Sequence, residues 1–201
     1  MTADRRLRIG GWAALLVAIV APIEVAVAFL TADRPGSLDL DALSAVEIVR
    51  FGALLVAVVG LDPLFRSLAP DLARPVRFVG AVAALALIAT DVVGLAVGDL
   101  GAAGMLLNLV GSVLVGIWFI GSGAIVMSRG GAFARIGWTA ELGGLGMILA
   151  GVASALRISG PTGGGMTWIE WFEVLGLFVV VYLVRVWSYV VRGRLPGPGI
   201  L

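Results

Sequence analysis

Five carboxylates and one guanidinium lie within runs of sequence that are otherwise apolar: Glu24, Glu47, Asp91, Glu170, Glu173 and Arg50. Charged groups are costly in hydrocarbon, so each needs a partner or a purpose. At about 1.5 Å per helical residue, Glu24 lies roughly 22 Å from Ile9, where its apolar run begins, and Asp91 roughly 22 Å from Val76. Glu47, Arg50, Asn108, Glu170 and Glu173 fall in the first two turns or so of runs that travel the opposite way. These polar side chains therefore share one half of a membrane. If every carboxylate ionises, a single embedded arginine leaves the group strongly negative, and a proton, a metal cation or an organic cation must offset the excess. The candidate ligand- or cation-binding set is Glu24, Asp91 and Glu173, with Arg50 and Asn108 in support.

Plainer roles compete for the same residues. Ser44-Ala45-Val46-Glu47 has the form of a capping box, with Ser44 as N-cap. Glu47 and Arg50, spaced i and i+3, can pair along their own helix. Glu170 lies near enough to an interface to be hydrated. Glu24 and Asp91 can each be a structural partner of Arg50, or part of a ligand or proton site. Pro22, just before Glu24, removes one helical hydrogen bond and frees the carbonyl of Ala18, so a bent first helix can form a cavity wall. In the other half of the membrane, Glu141 and Arg185 share a depth, which predicts a structural ion pair between them.

Other chemistry is limited by what the chain lacks. It contains no histidine, no cysteine and no lysine. The commonest metal ligand and neutral-pH base are thus absent, as is any thiolate. No cofactor is evident, and retinal or pyridoxal phosphate has no lysine to attach to. No motif has the spacing of a phosphate, zinc or nucleophile site, so an enzyme reading rests on carboxylates alone, with any metal unspecified. A net charge of +1 gives no case for nucleic acid.

These residues must be positioned by membrane helices. The chain is 60% hydrophobic and only 13% charged, against about 25% charged in soluble domains. Six spans are expected, at 9–30, 43–61, 76–98, 104–127, 136–156 and 168–191, making residues 1–201 one all-α membrane domain with a frayed tail at 195–201. The stretch 5–28 has some features of a cleavable signal peptide, but its apolar run is long enough to span and the first helix is read as retained.

Arginine placement sets the orientation. Arg5, Arg6, Arg8, Arg66, Arg74, Arg77, Arg129, Arg135, Arg185, Arg192 and Arg194 fall on one side, and only Arg34 and Arg157 on the other. Both termini are therefore expected in the cytoplasm. Trp12, Trp138 and Trp187 mark the inner interface and Trp168 the outer one, with Trp171 a turn deeper. Gly94 and Gly98 form a GxxxG pair. Gly104, Asn108, Ser112 and Gly116 line one face of the fourth span, and Gly146, Ala150 and Ser154 one face of the fifth. Such stripes serve close helix packing within the bundle or a homodimer face.

The segment Arg135-Ile136-Gly137-Trp138-Thr139-Ala140-Glu141-Leu142-Gly143-Gly144, together with Arg8-Ile9-Gly10-Gly11-Trp12 and the ending Arg192-Gly193-Arg194, resembles a group of bacterial six-helix integral membrane proteins of unknown function. That resemblance implies a layout and a location in the bacterial cytoplasmic (inner) membrane, and carries over no site residues. Glu141 departs from the group's usual apolar run. Two readings of function follow from the residues. One is a small transport or ligand-binding protein with an outward-facing acidic pocket for a proton or cation. The other is a partner-binding, sensory or assembly component whose buried charges hold the bundle together. The bilayer is the expected surrounding in both, and a membrane protein partner belongs to the second.

Overall fold

The computed structural model describes residues 2–31, 40–98, 100–130, 134–156, 172 and 174–192, and the elements among them are helices, with no strand. They are α1 (Ala3–Thr31), α2 (Leu40–Gly60), α3 (Asp62–Leu68), α4 (Pro70–Val97), α5 (Gly101–Met127), α6 (Gly137–Ala155) and α7 (Phe178–Val191). Five helices are long and apolar enough to cross a membrane, or six if α2 and α3, bent by 42°, count as one broken span. Helix is what such sequences must form in lipid, because hydrocarbon offers the backbone no other hydrogen-bond partner. The outer surface agrees: Ile19, Ile23, Leu85, Val92, Leu106 and Val181 are exposed.

Two helices start earlier than the apolar runs suggest. α1 begins at Ala3 and takes Arg5, Arg6 and Arg8 into its first turns. Its 29 residues span about 43 Å, beyond the roughly 30 Å of hydrocarbon, so its charged turns stand clear. α4 begins at Pro70, six residues before the expected span at 76–98, and Pro75 lies inside the helix. A proline at the first helical position costs nothing, because its missing N–H would have no helical partner. Pro75 costs only the bond to the Asp71 carbonyl, near the polar end. The Asp62-Pro63 step does end α2, but it also starts α3, with the proline in the first turn. The short α3 packs against α1, α2, α4 and α5 and closes the end of the bundle that carries the N-terminus. Its Leu64 and Phe65, with Leu61 before them, are buried.

The long helices form a closed ring in the order α1, α2, α4, α5, α6, α7 and back to α1. Neighbours run antiparallel. Gly10 near the start of α1 meets Gly60 at the end of α2, and Gly11 meets Val190 near the end of α7. Gly123 of α5 meets Gly137 of α6, while Ser112 meets Gly151. Trp12 and Trp187 meet edge to face at 5.5 Å across the α1–α7 seam. The middle of the ring is filled by aromatic side chains. Trp118 and Phe119 stack edge to face at 4.7 Å, Tyr182 lies 6.3 Å from Phe119, and all three are buried. Gly80 of α4 leaves the space that the Trp118 indole occupies.

Small residues thus act as expected at α5–α6, and the Gly10–Gly60 contact at α1–α2 adds another such approach, but Gly94 and Gly98 do not act so. Among the described residues, nothing lies within 4 Å of where a side chain on either would stand. Gly98 is the C-cap of α4 at φ 80°, a left-handed conformation that glycine adopts without penalty. That pair is a helix ending rather than a packing face. The contrast gives a prediction. A Cβ on Gly144 would stand 2.5 Å from the Gly116 carbonyl oxygen, so Gly144→Ala should destabilise by about 1–3 kcal/mol. Gly94→Ala should be neutral or slightly stabilising, since alanine is the better helix former. Melting curves of the two variants in detergent decide it, and equal curves would contradict the packing described.

Candidate functional site

Above the aromatic layer, towards the end opposite the N-terminus, the ring is not filled. A cavity of about 350 Å³ opens there between α1, α2, α5, α6 and the approach to α7. Its polar lining is Glu24, Glu47, Arg50, Asn108, Ser112 and Ser154. Its apolar wall includes Met105, Met147, Phe172, Leu177 and Val179.

Each polar group arrives from a different constraint. Glu24 is carried by α1, which continues through Pro22. Ala21, Glu24 and Val25 form that side of the cavity. Glu24 is buried at 7% exposure and forms an ion pair with Arg50 of α2. Arg50 also lies over the Phe51 ring at 4.3 Å, a favourable place for a cation. Its contact with Glu47 is looser, at 3.9 Å. Ser44 is an interior residue of α2, which starts at Leu40, so it cannot be an N-cap. The capping box does not form, and Glu47 faces Arg50 and the cavity instead.

Asp91 is at the expected level but not on the cavity wall. It interacts electrostatically with Glu47, Arg50 and Glu24 from the α4 side, beyond ion-pair distance of Arg50. Its Oδ2 is buried without a hydrogen-bond partner, as are Glu24 Oε1, the oxygen turned away from Arg50, and Arg50 Nε. Glu170, Glu173 and Arg157 lie outside the described residues. Among the described residues, three carboxylates therefore surround one guanidinium, and no three acidic groups converge as metal ligands.

The stripes on α5 and α6 have a second use. Gly116 and Gly144 bring the two backbones together. One to three turns further out, Asn108, Ser112, Ala150 and Ser154 face the cavity, and Ser112 Oγ donates to Asn108 Oδ1 at 3.2 Å. Leading into α7, Leu177 N–H donates to the Val174 carbonyl at 3.1 Å and Val180 N–H to the Leu177 carbonyl at 2.9 Å. These tight i to i+3 bonds interrupt the regular α pattern where Gly176, Leu177 and Val179 line the cavity.

The expected Glu141–Arg185 pair is not formed. The stem of Glu141 lies beside Gly123 of α5, while Arg185 is exposed on α7. The α7-facing side of α6 is marked by Gly143, which meets Val179. Two residues subtend roughly 200° around a helix, so Glu141 points away from α7. The polar cluster that does form at this end was not read from the sequence. Buried Asp62 accepts from Arg66 Nε at 2.9 Å and from Arg77 at 3.2 Å, and Arg129 donates to the Ser67 carbonyl at 3.0 Å. Its only sequence signal is the i, i+4 spacing of Asp62 and Arg66.

The Glu24–Arg50 pair links α1 to α2 beside the cavity. Arg50→Gln strands a buried carboxylate and should lower the melting temperature more than Glu24→Gln does. In a double-mutant cycle with Glu24→Gln/Arg50→Gln, a coupling of about 1–3 kcal/mol is expected. Additive losses would show that the pair contributes nothing of its own.

No protein-family model, no curated protein and no solved structure matches this chain, so the likeness noted at Arg8–Trp12 and Arg135–Gly144 stands on those motifs alone.

Proposed function

We propose that this chain is a small transport or ligand-binding protein of the bacterial cytoplasmic membrane, and that its pocket takes an organic cation. The observation that carries this reading is the cavity itself. It is lined by two acidic groups and one basic group, yet more than half of its wall is apolar. Its volume falls in the range of small-molecule sites. The carboxylate excess selects positive charge, and Met105, Met147 and Phe172 suit an apolar or aromatic body. Methionine and phenylalanine are poor partners for a hard metal ion, and a bare proton would need no such wall. With both termini in the cytoplasm, as the arginine bias implies, the pocket faces outward.

A second reading draws on the ion pair. Arg50 is engaged by Glu24 and flanked by Glu47, so the cluster can serve cohesion in a component that binds another membrane protein. Glu47 separates the two readings because its contact with Arg50 is loose and its removal spares the main pair. Alkylammonium and arylammonium ions should raise the melting temperature of the detergent-solubilised protein, and carboxylate or sulfonate analogues of the same size should not. At a hundredfold excess over Kd, linkage gives about 2.7 kcal/mol. Glu47→Gln should weaken that response while leaving the ligand-free melting temperature nearly unchanged. A melting curve indifferent to every cation tested would favour the structural reading.

A further inference from the structure

A second surface feature lies at the end of the bundle that carries the N-terminus, on the lipid-facing groove between α2 and α4. It is lined by Val59, Arg74, Pro75, Arg77, Phe78 and Ala81. Arg74, Arg77, Phe78 and Ala81 are spaced i, i+3, i+4 and i+7, so they share one face of α4. Arg74 is exposed and makes no ion pair among the described residues. Arg77 is half-exposed and shares Asp62 with Arg66. One buried carboxylate thus answers two guanidinium groups, and Arg74 adds a further positive charge. Immediately deeper, Phe78 is 68% exposed and Val59 41% exposed among the described residues.

We propose that this groove is a binding site for an anionic phospholipid. The phosphate lies between Arg74 and Arg77, and an acyl chain follows Phe78, Ala81 and Val59 into the membrane. The order of the groups carries the assignment. Cationic side chains come first, at the polar start of α4, and apolar ones follow within one to two turns, matching the order of headgroup and chain in a lipid leaflet. Arginine suits a phosphate because its planar fork donates two parallel hydrogen bonds. A second copy of this chain is a poor occupant, because it would set arginine against arginine. The site does not depend on which way the protein lies, since both leaflets present headgroups, and it is independent of the cavity at the opposite end. Its role is to anchor the α2–α3–α4 corner, where Asp62 already ties α3 to α4.

The test is native mass spectrometry of the full-length protein in detergent, titrated with phosphatidylglycerol or with phosphatidylcholine of identical chains. Phosphatidylglycerol should be retained in preference. An arginine near the membrane surface contributes about 1 kcal/mol to such attraction, so Arg74→Gln should weaken retention about fivefold. Ala81→Leu, which fills the groove without changing charge, should also weaken it. Arg8→Gln, at the same end but on exposed α1, should not. Equal retention of the two lipids, no effect of either groove variant, or an equal loss with Arg8→Gln would each overturn the proposal. If Arg74→Gln fails to fold, Ala81→Leu against Arg8→Gln gives the same decision.

Discussion

A guanidinium among apolar helices has to be answered by an anion, and here Arg50 of α2 is answered by Glu24 of α1. That one requirement fixes much of the architecture. The two residues must lie at the same depth, which sets the register of the antiparallel helices α1 and α2. The same register brings Gly10 against Gly60 about three to four turns away. Breaking a buried pair leaves an uncompensated charge, which is costlier than never having had the pair. α1 is also the helix that closes the ring against α7, so the position of Glu24 is tied to the seam of the bundle.

The ring has two unlike halves. Glycines at α4, α5 and α6 draw the backbones together where Trp118, Phe119 and Tyr182 fill the centre. Beyond them the same helix faces carry Asn108, Ser112, Ala150 and Ser154, too small to fill the middle of the ring, and the cavity is what remains. Polar groups that would be costly against lipid are therefore gathered around a space of their own. At the opposite end, α3 closes the ring and Asp62 gathers arginines instead. One end of the molecule thus carries excess carboxylate around a cavity, and the other excess arginine around a closed floor.

What could be read from the sequence was axial position. Long apolar runs gave helices in the right order, and a fixed rise per residue put Glu24, Glu47, Arg50 and Asp91 at a common level. What could not be read was azimuth, the direction in which each side chain leaves its helix. Glu141 and Arg185 share a depth but point to different neighbours. Asp91 shares the level of the cavity but approaches the cluster from the α4 side. Gly94 and Gly98 have the spacing of a packing pair, but among the described residues nothing lies within 4 Å of that face of α4. α3 was hidden for another reason: an Asp-Pro step reads as a stop, and its use as a fresh start depends on the floor that Phe65 and Leu64 find beneath the ring. Glu173 lies outside the described residues, so its place in the acidic set rests on depth alone.

A pocket that takes a cation from outside must be open to water at Ser112 and Ser154, which line it, from one side of the membrane. The chain contains no cysteine, so single cysteines can be placed in it without background. The most direct measurement is labelling of Ser112→Cys in intact cells with a charged, membrane-impermeant thiol reagent, with Ser122→Cys, at a fully buried position, as the dry control. Rapid modification of the first and none of the second is the predicted result. If Ser112→Cys reacts only after the membrane is dissolved, the space between the helices is closed to water from outside, and the cluster around Arg50 is a structural core rather than a site.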